Sequence, residues 1–176
     1  PESTVNGFIT SLFPEADSIL WCASRNGLFV YKHDRMQRIY PLKNDTEEEQ
    51  NTCRIIFVEK DTIWAGTISK GLVKIIRQNG NYQCFPNTYG NIPIKDISFV
   101  RKTGQGDLLV GTWGGGVYIR HKETWRHLTE EDGLADNIVF AIYEDSKNNY
   151  WISTYNGLSH FNTTTHFLTK YEMHDG

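Results

Sequence analysis

An all-β chain of four repeated sheets is predicted by three features of the 176-residue sequence: a short motif recurring near every 43 residues, an aromatic excess, and no sustained helical period. The motif is Leu20-Trp21-Cys22-Ala23-Ser24, and it returns as Ile63-Trp64-Ala65-Gly66-Thr67, Leu108-Leu109-Val110-Gly111-Thr112 and Tyr150-Trp151-Ile152-Ser153-Thr154. Its second residues stand 43, 45 and 42 positions apart. Aromatic residues make up 13% of the chain, a bias that favours strands. Repeats of this length, built from short antiparallel strands, are the signature of β-propeller blades.

Each copy resolves into four strands bounded by Asn, Asp, Gly, Ser and Lys turns. The first strand is predicted at Phe8 to Phe13, Arg54 to Val58, Asp96 to Val100 and Ile138 to Tyr143. The second carries the tryptophan motif. A glycine then opens the third, at Gly27, Gly71, Gly116 and Gly157, where a tight turn calls for positive φ. The fourth covers Met36 to Tyr40, Tyr82 to Phe85, Thr124 to Leu128 and His166 to Tyr171. Thr46 to Gln50 is long enough for one helical turn. The blades so defined run 1–43, 44–88, 89–131 and 132–176. Trp21, Trp64, Leu109 and Trp151 fill the space between adjacent twisted sheets, and Leu28, Leu72, Val117 and Leu158 supply the next contact.

Composition excludes several function classes. Hydrophobic residues are 39% and charged residues 22%, near the globular norm. The formal charge is -3 and the basic residues are dispersed, so no nucleic-acid footprint is present. No apolar stretch is long enough to span a bilayer, and direct membrane contact by this segment is not expected. Cys22, Cys53 and Cys84 have no metal or redox spacing and are expected as buried free thiols. Cys53 and Cys84, on the first and last strands of one sheet, stand too far apart to bridge.

The fourth copy carries a resemblance. Asp132-Gly133-Leu134, Asn137-Ile138-Val139, Ala141-Ile142-Tyr143-Glu144-Asp145, Trp151-Ile152-Ser153-Thr154, Asn156-Gly157-Leu158 and Phe161-Asn162 together resemble the two-component regulator propeller repeat. The other copies match in the second and third strands, with Leu109 in place of Trp and Ser24 in place of Thr. That family forms the periplasmic sensor region of hybrid histidine kinases in glycan-using gut bacteria. The resemblance implies a non-catalytic sensor in the periplasm, its parent anchored in the inner membrane, with an oligosaccharide ligand and a signal passed across the membrane. It implies no inherited binding residue and no cofactor. The alternative is a propeller that serves as a protein-interaction scaffold.

His174-Asp175-Gly176 stands where a fifth copy would begin, so the chain reads as a fragment of a larger ring of about seven blades. Exposed blade faces would be covered by neighbouring blades, by closure as four, or by a second copy of the fragment making eight; the last strains the packing least. Loops joining the second and third strands share one face with those joining successive blades. On that face Trp113, Tyr155, Arg25, Lys70 and Tyr89 are the candidate ligand contacts, because sugar C–H faces stack on rings and hydroxyls need fixed polar partners. The recurring pairs Glu15/Asp17, Glu59/Asp61 and Glu144/Asp145 are expected to serve their turns. No catalytic residue or metal ligand is expected; Glu47-Glu48-Glu49 reads as a solvated loop, and His160 and His166 as cross-strand neighbours.

Overall fold

Alternation of apolar and polar residues between short turns produces four four-stranded antiparallel sheets, each with its strands in sequence order. The computed structural model describes residues 8–40, 52–86 and 94–171. Sheet I holds β1 (Ile9–Ala16), β2 (Ile19–Ser24), β3 (Gly27–Lys32) and β4 (Arg35–Tyr40); sheet II holds β5 (Cys53–Glu59), β6 (Thr62–Thr67), β7 (Leu72–Gln78) and β8 (Asn81–Pro86). Sheet III holds β9 (Ile97–Lys102), β10 (Leu108–Thr112), β11 (Val117–His121) and β12 (Thr124–Leu128); sheet IV holds β13 (Val139–Glu144), β14 (Tyr150–Thr154), β15 (Gly157–Phe161) and β16 (Leu168–Tyr171). Each sheet is one propeller blade. A single 3-10 turn, Glu130–Asp132, is the helical element between β12 and β13.

The chain forms two compact units, Pro1–Ile97 and Ser98–Gly176. In the first, Trp21 of β2 is fully buried and meets Tyr82 edge-on at 5.8 Å, and Phe13 meets Phe57 at 6.2 Å. The tryptophan face of sheet I therefore packs on sheet II, a contact whose loss by truncation to alanine typically costs about 3–5 kcal/mol. In the second, Leu109, Ile119, Ile142 and Ile152 build the core shared by sheets III and IV. Gly111 permits the approach: a Cβ there would lie 2.8 Å from Val139 Cγ1 and 3.1 Å from Phe99 Cβ. Trp151 differs from Trp21. It lies on the opposite face of sheet IV from Ile152, half-buried against His160 and Tyr171 at ring distances of 4.4 and 5.7 Å.

Strand edges depart from expectation where the backbone turns left-handed. Asp96 (φ 52°) precedes β9 rather than opening it, and His166 (φ 60°) closes a turn in which its N–H donates to the Asn162 carbonyl. His160 consequently pairs with Thr169, while the His166 ring stacks parallel to Phe161, so the two histidines are not cross-strand neighbours. The expected turn at Thr46 to Gln50 and the acidic run Glu47 to Glu49 lie outside the described residues. Cys22, Cys53 and Cys84 are free; Cys22 and Cys53 are buried and Cys84 is half-buried. Burial pushes the Cys53 thiol up to about 12 and that of Cys84 to about 11, leaving both as unreactive thiols at neutral pH.

Candidate functional site

The Ser/Thr that ends each tryptophan motif closes the turn that follows. Ser24, Thr67, Thr112 and Thr154 donate their hydroxyls to the carbonyls of Gly27, Gly71, Gly116 and Gly157, at 3.2, 2.7, 2.8 and 2.9 Å. All four glycines have positive φ, between 70° and 120°. At Gly116 the demand is steric as well, since a Cβ would lie 2.2 Å from the Leu128 carbonyl oxygen. In sheets I, II and IV the residue after the turn-closing hydroxyl is then laced to the chain entering the sheet: Arg25 N–H to Phe8 O, Ile68 N–H to Thr52 O, Tyr155 N–H to Ile138 O. This lacing holds the turn tips at one end of those three sheets.

In the second unit the loop end presents an aromatic surface. Trp113 is bridged to Ile138, and Gly114 and Gly116 donate to the Asn137 carbonyl at 3.1 and 2.9 Å. Asn137 is fixed in turn by Glu130, each donating a backbone N–H to the other's side chain at 3.0 Å. A register shift between Val139 and Ala141 places an extra residue, Phe140, out of the ladder. Bulges re-aim side chains. Here Phe140 points outward and meets Trp113 edge-on at 5.5 Å, both rings nearly half exposed, while Tyr155 is 71% exposed. The same shift recurs in β1 at Thr10 and in β5 at Arg54. Thr10 donates to the Cys53 carbonyl, and Arg54 pairs with Asp96 at 3.1 Å.

The expected site residues therefore divide. Trp113 and Tyr155 come together on the segment at Asn137 and Ile138. Arg25 lies in the first unit with its guanidinium 4.7 Å above the Phe8 ring and its carbonyl accepting from Thr52. Lys70 is half-buried in the turn before Gly71, also in the first unit. Tyr89 lies outside the described residues. Phe140 was absent from the sequence-derived set because strict alternation from Ile142 assigns it to the core; only the bulge turns it out.

At the opposite end of sheets III and IV is a larger feature, a cleft of about 630 Å³. Its floor is Tyr150 and Phe161, and its walls include Trp125, Arg126 and His166. Asp107 accepts from Tyr150 OH at 3.1 Å through one carboxylate oxygen and meets His121 Nδ1 at 2.6 Å through the other. The Tyr150 hydroxyl, buried and facing that carboxylate, is held well above the usual phenol range. Arg126 stacks over Phe161 at 5.7 Å and reaches His166 Nδ1 at 3.2 Å. Among the described residues no group of three or more metal-ligating side chains converges, and no helix is long and apolar enough to cross a membrane.

Residues 133–156 match the family model described as two component regulator propeller. The chain carries a two-component regulator propeller repeat. In that repeat Asp132 accepts from the Thr129 N–H and hydroxyl, Gly133 supplies a left-handed turn (φ 105°), and Leu134 is fully buried, which accounts for the Asp-Gly-Leu opening. Over 198 aligned positions the chain is 27% identical to histidine kinase P4 of Formosa agariphila, covering 100% of this chain and 14% of that protein. The extracellular domain of a putative hybrid two-component system of B. thetaiotaomicron shares its fold at a TM-score of 0.77, with 17% identity, 96% of this chain and 22% of that one covered. A second such domain from that organism gives 0.63 with 18% identity, over 99% of this chain and 29% of that one. The propeller repeats here span about a seventh of the kinase and less than a third of either extracellular domain.

The acidic pairs of the repeat divide their labour. Asp145 keeps to its turn, accepting from the Lys147 and Asn149 backbones at 2.8 and 2.9 Å; the Asn149 bond first among these causes holds its carboxyl low. Glu15 and Glu144 instead end strands and reach the neighbouring sheet, where Glu15 takes Arg77 and Glu144 takes the Gly104 N–H. The expectation that both members serve the turn fails for Glu15 and Glu144, whose longer side chains span the gap between sheets.

Proposed function

We propose that this chain is part of the extracytoplasmic sensor region of a two-component histidine kinase and that it binds an oligosaccharide without catalysing any reaction on it. The observation that carries this reading is the regulator propeller repeat at 133–156 within a chain that aligns over its whole length with a histidine kinase. The location outside the cytoplasm is supported by the extracellular domains that share the fold, and anchoring of the parent protein in the inner membrane is part of the proposal. Ligand contact falls to the loop end, where Trp113, Phe140 and Tyr155 offer exposed rings for the C–H faces of a sugar. Binding biases the packing of blades or the geometry of a dimer, and that bias is what crosses the membrane.

The test is calorimetry on the full-length protein against a panel of plant and algal oligosaccharides, followed by the Trp113→Ala/Tyr155→Ala double variant with the glycan that binds. A loss of about tenfold or more in affinity is expected, the scale of two aromatic contacts. Unchanged affinity would remove the loop end from the site, and absence of any binding glycan would remove the saccharide reading.

A further inference from the structure

Gly114, Gly115 and Gly116 follow Trp113 directly, and with no Cβ among them their backbone is the least confined that a tripeptide can have. The order of this turn must therefore come from its hydrogen bonds. Every glycine N–H is taken: Gly114 and Gly116 donate to the Asn137 carbonyl at 3.1 and 2.9 Å, and Gly115 donates to Thr112 Oγ1 at 2.9 Å. These bonds tie the turn to β10, where it starts, and to the chain entering sheet IV. A further tie runs the other way. His127, on the outer strand β12, meets the Gly115 carbonyl through Nε2 at 2.7 Å. A carbonyl only accepts, so Nε2 carries the proton and donates it.

The imidazole is itself held in place. Tyr118 and His127 stand opposite each other in the ladder of β11 and β12, their rings parallel within 7° and 4.0 Å apart, and Tyr118 is buried, so a fixed ring aims an exposed donor. At the same register sheets I, II and IV carry Arg38, Pro86 and Lys170. The imidazole is particular to the sheet whose turn carries Trp113. We infer that His127 is a positioning residue of the loop-end site: by fixing the Gly115 carbonyl it fixes the glycine turn from which Trp113 meets Phe140 edge-on. That the loop end is a ligand site rests on the function proposed above; the hold of His127 on the turn does not.

The experiment compares the full-length protein with its His127→Phe and His127→Gln variants. Phenylalanine keeps a ring on Tyr118 without a donor, and glutamine keeps a donor at similar reach without the ring. Two quantities are read in each: hydrogen exchange of the peptide covering Trp113 to Val117, and the calorimetric affinity for the glycan that binds wild type. In His127→Phe the peptide is expected to exchange about threefold faster or more and the glycan to bind about threefold more weakly or more, the scale of one hydrogen bond, while His127→Gln stays within about twofold of wild type in both. Unchanged exchange in His127→Phe overturns the inference, whatever the glycan does. Faster exchange at unchanged affinity also overturns it and leaves the sensor reading intact. Equal losses in the two variants remove the Nε2 donor and overturn it too. A panel in which no glycan binds wild type takes away the site together with its positioning residue. Circular dichroism melts of the three proteins separate a lost position from a lost fold.

Discussion

Thr112 shows how much of a repeat a single hydroxyl can hold. It is 1% exposed, donates to the Gly116 carbonyl and accepts from the Gly115 N–H at 2.9 Å, so replacing its hydroxyl takes the partner of the Gly115 N–H and leaves the Gly116 carbonyl only the Thr112 N–H. Thr112→Val is nearly isosteric and should cost about 1–3 kcal/mol, read from urea denaturation midpoints. Gly111, one residue earlier, is constrained from outside the turn. The Cβ of Gly111→Ala would meet the branched Val139 across the sheets, and overpacking of that kind costs about 1–3 kcal/mol. Both positions were visible in the sequence as the small and hydroxylated members of a repeated motif. Their reasons were not, because one depends on a partner four residues ahead and the other on a strand 28 residues away.

At the scale of elements, the contact between sheets I and II is pinned by one carboxylate. Glu15, at the end of β1, accepts from Trp21 Nε1 at 2.8 Å and takes Arg77 of β7 through both oxygens, at 2.6 and 3.1 Å. Burial by itself would raise its carboxyl, but the bonds from Arg77 and Trp21 and the charge of Arg77 hold it below the usual range. A depressed carboxylate stabilises the fold above its unfolded-state pKa, and that contribution disappears as pH falls through the folded value. The thermal midpoint should therefore drop between about pH 6 and about pH 3, and drop less in Glu15→Gln, which is already without the charge. An identical slope in the two proteins would remove Glu15 from the acid response. The strands themselves were legible: apolar runs, turn residues and glycine spacing located four per repeat to within a few residues. What alternation could not reveal was the bulge in β1, β5 and β13, since an extra residue leaves composition unchanged while turning Thr10, Arg54 and Phe140 out of the ladder. Half of the loop-end aromatic pair was missed for that reason, and the opposite cleft was missed because its lining is drawn from four separate turns with no shared motif.

For the whole molecule, the repeat makes stability local. The first unit has its own buried cluster around Trp21, Ile63 and Val73, and the second another around Leu109, Leu134 and Ile152. In arrays of this kind each repeat is supported chiefly by its immediate neighbours, so damage spreads as far as the shared core and fades beyond it. Gly111→Ala enters the second cluster at the contact of β10 with β13. Hydrogen exchange on the intact protein should then show faster exchange across β10, β11, β13 and β14, with β2, β3, β6 and β7 close to wild type. Uniform acceleration in both groups would mean that the two cores melt as one, and the two-unit division would describe geometry without describing energetics. The division also bears on sensing, because the loop-end aromatics sit on sheets III and IV. A ligand on the loop-end aromatics, as proposed above, would stiffen that pair of sheets, and if the hydrogen-exchange result holds the stiffening stays within the second unit.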